Sequence, residues 1–344
     1  MSILDILWAI LGISLLVIVH EGGHYLAARA FGMRVLRYSI GFGPTLLRYQ
    51  PKDSPTTFQI CAIPFLAYVQ IAGMNPHEKV EADDPGLFQN KSVIARITTI
   101  FAGPFANYLT ASLIVFALAL SGGPHMVPTE PMQVAEVAAG SPAARAGVQV
   151  GDIIRRAHGR AVRNVEELAQ VTAPRAGKAT VYHIERRGQR LPPLTMTPAK
   201  HDDGRGIIGV TAKTRRMYLG EAAQAAVVLP YSLTVAQLNG LGELFRRRST
   251  EGLTGPVGMG KLVAEQAHKG WTEYLSMLML LSVALGMFNL LPFPALDGGR
   301  LVFLGYELVT RQRANERFEA AVHFVGLLFL LGVLVLVTFR DVMG

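Results

Sequence analysis

Four runs of apolar residues, at 3–19, 97–121, 274–296 and 320–339, dominate the hydrophobic pattern of the chain. No Asp, Glu, Lys or Arg occurs between Arg96 and Glu130, between Glu273 and Asp297, or between Glu319 and Arg340, and the first run carries only Asp5. A helix needs roughly 20 apolar residues to cross a bilayer, so each run predicts a spanning helix. The first lacks the basic start and small-residue cleavage site of a signal peptide and reads as a retained span. Between the first two spans, Gly41, Gly43, Pro44, Pro64 and Gly73 punctuate strand-like runs at 57–63 and 67–71, a pattern of β-hairpins. These runs are apolar enough to dip into the membrane where protein satisfies their backbone.

From 132 to 198 the pattern is that of a small soluble domain. It predicts a strand at 133–138, a turn into a short helix at 140–144, a helix at 164–171 capped by Asn164 and a strand at 180–186. At 221–244, Ala, Val and Leu recur at helical spacing among Gln224, Gln237, Asn239 and Glu243, but Pro230 and Gly240 interrupt them. This predicts an amphipathic helix on the outer membrane surface. The expected fold class is a polytopic α-helical membrane protein with four transmembrane helices, a membrane-associated β-hairpin region and one inserted α+β domain. The expected divisions are transmembrane helix 1 (1–30), a cytoplasmic and membrane-dipping hairpin region (31–95), transmembrane helix 2 (96–122), the inserted domain (130–200), a linker with the amphipathic helix (201–272), transmembrane helix 3 (273–300), a cytoplasmic loop (301–318) and transmembrane helix 4 (319–340).

Composition sharpens this. Half of the residues are hydrophobic and 17% are charged, against about 25% charged in globular chains, which excludes a soluble, fibrous or disordered protein. The net charge of +8 comes largely from residues that flank the spans or are scattered through the middle of the chain. Anionic lipid headgroups, not nucleic acid, are the expected partner. Arg29, Arg34, Arg37, Arg48 and Lys52 follow the first span, Lys91 and Arg96 precede the second, and Arg300, Arg311, Arg313 and Arg317 lie between the third and fourth. Basic residues in short loops mark the cytoplasmic side. Both termini and the inserted domain are then expected outside, in a bacterial periplasm or its equivalent. A single cysteine, Cys61, excludes an internal disulfide.

The chemistry sits where the first span ends. His20-Glu21-Gly22-Gly23-His24 is an H-E-x-x-H sequence. On a helix, imidazoles four residues apart can reach one zinc ion, and the glutamate between them can take a proton from water. Such residues are costly in a membrane run without a function. At 1.5 Å per residue, His20 lies about 25 Å from Ile3, in the cytoplasmic part of the hydrocarbon layer. A third ligand must come from the same end of another span, and Asp297, where the third span ends, is the acid there. Two histidines and a carboxylate leave one position open, as in a catalytic zinc site. Pro292 and Pro294 break the helix just before Asp297, and a broken helix at membrane depth lines a cavity, where a substrate strand could pair. Asn107 and His323 are expected to bond across helices, and His77, His125, His158, His183, His201 and His268 read as surface or loop residues.

The run 140–154 (GSPAARAGVQVGDII) resembles a bacterial PDZ domain, a fold that binds an extended peptide or carboxy terminus at a sheet edge. Together with His20–His24, Asn289-Leu290-Leu291-Pro292-Phe293-Pro294-Ala295-Leu296-Asp297-Gly298 and Gly103-Pro104-Phe105-Ala106-Asn107, it makes nearly the whole chain resemble the site-2 protease family of intramembrane zinc proteases, in its bacterial sigma-E-regulating branch. The resemblance implies zinc (Zn2+) held by His20, His24 and Asp297, Glu21 as general base, and substrate handling by Asn289 and Pro292. It implies that the hairpins edge the active site and align substrate as an added strand. It also implies a multi-pass protein of the bacterial inner membrane, with its active site near the cytoplasmic face. Its substrates would be single-span membrane proteins, such as an anti-sigma factor already trimmed outside, and leftover signal peptides. Two departures stand out: enteric members carry two PDZ domains where one is found here, and both x positions of the H-E-x-x-H are Gly, which weakens a helix by about 1 kcal/mol each.

A non-enzymatic scaffold would be expected to have lost Glu21, which is present. A zinc transporter would need polar groups continued across the bilayer, whereas these gather near one face.

Overall fold

Apolar length turns directly into helix in the computed structural model, which describes residues 2–74, 81, 83–121, 127–201, 203–247 and 255–343. His77, His125 and Arg248 fall outside these residues. The chain forms two compact units, Met1–Ala117 with Ala223–Gly344, and Leu118–Ala222.

The first unit opens with helix α1 (Ile3–Ala30), whose start is closed by a capping box between Ser2 and Asp5. Strands β1 (Val35–Tyr49) and β2 (Thr57–Ile71) follow as the expected hairpin region, and helix α2 (Val93–Ser121) comes next. Arg37, Tyr38, Ser39 and Ile40 of β1 each have β2 partners on both sides: Tyr38, for example, faces Val69 and Phe58. Residues 67–71 pair only with this part of β1 and so form an edge. Phe42, Leu46, Leu47, Tyr49 and Ile63 are exposed on this sheet, the surface expected of a sheet that meets lipid or an apolar partner.

The second unit contains the short helices α3 (Pro142–Arg145) and α4 (Val165–Thr172). Ser141 caps α3 and Asn164 caps α4, accepting from the Ala144 and Glu167 amides. Strands Ile153–Ala157 and Thr180–Arg186 pair antiparallel. The strand Val134–Val137 takes its partner, Val210–Ala212, from beyond residue 200, so the inserted unit extends past that expected end. Met132, Val134, Ile154, Leu168, Tyr182 and Ile184 are buried in its core, and the unit is of the α+β class.

The chain continues as α5 (Leu219–Arg247), α6 (Pro256–Lys269), α7 (Trp271–Leu290), α8 (Asp297–Thr310) and α9 (Glu316–Met343). Among the described residues, four helices are long and apolar enough to cross a membrane: α1, α2, α7 and residues 317–341 of α9. Two expectations change. Pro230 and Gly240 do not interrupt α5, which is continuous. Its Ala225, Ala226, Leu229 and Leu233 share a core with Ala111 and Val115 of α2 and Met279 and Val283 of α7, and the Tyr108 and Thr234 hydroxyls bond at 2.9 Å. Its apolar stripe is thus taken up by neighbouring helices, which offsets the interior proline. The second change is that the third span does not run on to Asp297. Helix α7 stops at Leu290, residues 291–296 are irregular, and Asp297 is the first residue of α8, which occupies most of the expected 301–318 loop. Helix α8 is tied to α2 by Arg96, which donates through two nitrogens to Glu307 at 2.9 and 2.5 Å and holds its carboxyl below the ordinary range.

In the second unit, Asp152 is buried and accepts from the Arg186 guanidinium at 2.7 and 2.8 Å and from the Gln149 amide at 2.8 Å. Burial pushes this carboxyl up, but the Arg186 and Gln149 hydrogen bonds outweigh it and hold it below the ordinary carboxylate range. A depressed carboxylate contributes stability above its unfolded pKa and loses it as pH falls through the folded one. Asp152→Asn should therefore cost roughly 3 kcal/mol at neutral pH and progressively less as pH falls below the ordinary carboxylate pKa of about 3.9 toward the depressed folded one. Hydrogen exchange at the 153–157 and 180–186 amides of the full-length protein checks this.

Candidate metal centre

Two elements of the first unit bring three ligand atoms together. His20 and His24 lie on successive turns of α1, and Asp297 opens α8. His20 Nε2 is 3.1 Å from Asp297 Oδ2, His24 Nε2 is 3.4 Å from the same oxygen, and the two Nε2 atoms are 3.3 Å apart. Both histidines are buried. Among the described residues these three form the group of ligand atoms suited to one metal ion.

The other side of each ring is anchored to α2. His24 Nδ1 donates to the Thr99 carbonyl at 2.8 Å, which leaves the Nε2 lone pair facing Asp297. His20 Nδ1 lies 3.0 Å from the side-chain amide of Asn107, and the Ser282 hydroxyl of α7 donates to the Asn107 backbone carbonyl at 2.8 Å. An imidazole that ligates through Nε2 carries its proton on Nδ1. The Asn107 atom at 3.0 Å is the amide nitrogen; turning the amide over would present Oδ1, which is otherwise buried without a partner among the described residues, to that proton. Asn107 is therefore a positioning residue that bonds across helices, as an asparagine in an apolar span often does.

One glycine of the motif, Gly23, is required by helix packing. A Cβ on Gly23 would lie 2.1 Å from the Ala102 carbonyl oxygen of α2, and one on Gly103 would lie 2.2 Å from His24 Nε2. Helices α1 and α2 can approach closely enough for these contacts only where both lack side chains. Gly22 has ordinary room, with the Tyr38 hydroxyl at 3.7 Å. Past Asp297, a Cβ on Gly298 would meet the Leu291 carbonyl oxygen at 2.0 Å, and one on Gly299 the Phe293 carbonyl oxygen at 2.4 Å. The Asp-Gly-Gly start of α8 is thus folded tightly onto the irregular 291–296 segment.

Glu21 faces the sheet edge. The Val69 amide donates to its Oε2 at 3.0 Å, joining edge residues 67–71 to the glutamate. Tyr38 donates from its hydroxyl to the Ile18 carbonyl at 2.7 Å. Burial, together with the Glu21 carboxylate, pushes this phenol up to about 12, so it remains a neutral donor.

His20, Glu21, His24 and Asp297 line a cavity of about 430 Å³, with Asn289, Arg300 and His323 also in its walls. The Asn289 amide nitrogen donates to the Leu285 carbonyl of its own helix at 2.9 Å. Pro292 is exposed on the irregular segment and is not one of the cavity-lining residues. His158, His183, His201 and His268 are exposed, as expected.

The donor set fits zinc. A tetrahedral site with bonds of 2.0–2.1 Å has ligand–ligand edges of about 3.3–3.4 Å, close to the 3.1, 3.4 and 3.3 Å separations here. Among the described residues, buried Asp297 Oδ2 has no hydrogen-bond donor assigned to it and faces the two Nε2 atoms, as an oxygen reserved for a cation would.

The family described as Peptidase family M50 matches residues 8–333. The chain is 31% identical to a protein of Fusobacterium nucleatum named as a zinc metalloprotease, over 97% of both chains. It is 32% identical to one so named from Mesorhizobium japonicum, over 96% of both. The metalloprotease MmpA of Caulobacter vibrioides is 32% identical over 96% of this chain and 93% of its own. A solved PDZ domain of an SdrC-like protein from Listeria monocytogenes aligns at 19% identity with 25% of this chain and 90% of that one, with a TM-score of 0.22. A family match over nearly the whole chain, and relatives of this similarity and coverage, make the chain a membrane zinc metalloprotease that belongs to peptidase family M50, the site-2 proteases.

Proposed function

We propose that this metalloprotease hydrolyses peptide bonds within the membrane-spanning segments of single-span membrane proteins, with His20, His24 and Asp297 holding Zn2+ and Glu21 as general base. The observation that carries this reading is the convergence of the three ligand atoms with Glu21 in one cavity on α1, a helix apolar enough to span a membrane. Zinc bound there supplies a Lewis acid that polarises a carbonyl and makes water acidic enough to be deprotonated near pH 7. Val69 holds Glu21 Oε2, leaving the other carboxylate oxygen, which has no hydrogen-bond partner among the described residues, to take the proton of the attacking water. Glu21 then returns that proton to the departing amine.

Substrate selection follows from the edge and the break. A spanning helix must unwind before a protease can reach its backbone. Residues 67–71 offer an unpaired edge on which an unwound segment can add as a strand, with Asn289 contacting that strand from α7 and Pro292 keeping the 291–296 segment out of helix. The enzyme acts in the bacterial inner membrane, with both termini and the inserted domain in the periplasm and the zinc near the cytoplasmic face. The inserted unit is a PDZ domain that meets the extracytoplasmic part of a substrate or a free carboxy terminus. The natural substrate class is an anti-sigma factor already trimmed outside, in regulated intramembrane proteolysis, together with remnant signal peptides. Membrane lipids are the other partner.

Glu21→Gln should retain one zinc per chain and lose 10²- to 10⁴-fold in cleavage of a purified single-span substrate, the range of general base catalysis. Near-normal cleavage would remove Glu21 from that role. Asn107→Leu should weaken zinc binding about 10- to 100-fold in competition with a chelator, because the support of His20 is lost; unchanged affinity would contradict the assigned support. In a Cys61→Ala background, Arg160→Cys should react with a membrane-impermeant thiol reagent added outside intact cells, and Arg313→Cys should not. Reversed labelling would invert the topology.

A further inference from the structure

His323 of α9 lines the same cavity as the candidate ligands but has no part in the chemistry assigned above. The expectation of a histidine satisfied within the helix bundle holds for half of its ring. The Ala295 amide donates to Nδ1 at 2.9 Å, so Nδ1 is an acceptor and the neutral ring carries its proton on Nε2. Among the described residues Nε2 is buried without a hydrogen-bond partner, and the Glu319 carboxylate stands 3.9 Å away, beyond hydrogen-bond reach. The ring is held on two sides, by the Ala295 amide two residues before Asp297 and by Phe303, whose ring centre lies 5.8 Å away. Arg300, one helical turn beyond Asp297, lines the cavity as well and adds a positive charge. An N–H with nothing to bond among the described residues, on a ring that lines the cavity beside a cation, is suited to an oxygen that becomes negative during reaction.

We propose that His323 is a catalytic residue whose Nε2–H donates a hydrogen bond to the carbonyl oxygen of the peptide bond being cleaved. The inference rests on the reading of the site proposed above. As the water oxygen bonds to the carbonyl carbon, Glu21 takes one water proton and the carbonyl π pair moves onto its oxygen. That oxygen, now negative, is stabilised by the Nε2–H, which is shared and not transferred. When the pair returns to re-form the carbonyl, the C–N bond breaks, and the departing nitrogen takes the proton that Glu21 had accepted. His323 ends each cycle in the protonation state in which it began.

Two conservative substitutions separate this role from support of the 291–296 segment. His323→Asn keeps an amide oxygen where Nδ1 accepts from Ala295 but has no donor at the Nε2 position. His323→Gln carries an N–H out to about the Nε2 position. Both would be compared with wild type and His323→Leu as zinc-loaded full-length protein in detergent, with a doubly labelled single-span peptide as substrate and zinc content measured in parallel. Asn should keep one zinc per chain and an unchanged KM while kcat falls about 10²- to 10³-fold, the effect of losing one such donor. Gln should recover part of the lost kcat. Wild-type kcat in the Asn variant, loss of zinc from it, or a Gln variant no more active than Leu would overturn the assignment. Failure of the wild type itself to cut any spanning peptide would sink the proposed function, and this inference with it; a failure confined to the His323 variants would sink the inference alone.

Discussion

Three lone pairs, on two imidazole nitrogens and one carboxylate oxygen, converge within 3.1–3.4 Å of one another, and such a cluster of acceptors needs a cation to hold it together. The surrounding structure is arranged to permit that cluster. Helix α1 supplies two acceptors because a spacing of four returns the side chain to nearly the same face. Helix α2 fixes the His24 tautomer through Thr99 and braces the His20 ring through Asn107, and can do so because Gly23 and Gly103 let the two helices touch. Asp297 reaches the cluster because α7 ends early and the chain restarts as α8. Removing the cation would leave buried polar atoms without partners, the costliest arrangement in a low-dielectric interior.

The break between α7 and α8 serves both the ligand set and the cavity. Pro292 and Pro294 cannot both sit in a regular helix, so six residues run irregularly between α7 and α8. Gly298 and Gly299 then pack against the carbonyl oxygens of that segment, and Gly326 of α9 leaves room for Pro294, whose Cβ would lie 2.4 Å from an added methyl group. The segment is thereby fixed by close backbone contacts. Its Ala295 sits at φ +73°, in the left-handed region that a residue with a side chain seldom adopts, and its amide reaches His323. On the opposite wall, Val69 ties the sheet edge to Glu21. The cavity is thus bordered by one segment that the sequence prevents from being helical and one strand edge that pairs with no further strand among the described residues.

Much of this was legible before the structure. The four apolar runs became four long helices, the Gly/Pro punctuation became the β1–β2 sheet, and depth counting along α1 pointed to Asp297 as the acid that lies beside His20 and His24. What could not be read shares a physical cause: it depends on contacts between distant residues. The continuity of α5 through Pro230 comes from burial against α2 and α7, which local propensity does not contain. The restart of the chain at Asp297 was mistaken for the end of a span because charge-free residues continue through an irregular segment that hydropathy does not distinguish from helix. The partner of the Asn107 amide and the single bond of His323 depend on where two helices meet a third. The need for glycine at Gly23 lies in the Ala102 carbonyl of α2 beside it, a contact between distant residues, while nothing packed against Gly22 requires glycine there.

The central claim is that one zinc ion is held by two imidazoles and one carboxylate drawn from α1 and α8. X-ray absorption at the zinc edge of the purified full-length protein tests it most directly. The account predicts one zinc per chain, with two imidazole nitrogens and otherwise only oxygen ligands at about 2.0–2.2 Å, and loss of one oxygen ligand or of the metal in Asp297→Ala. A sulfur scatterer at about 2.3 Å, a third imidazole, or a spectrum unchanged by Asp297→Ala would contradict it.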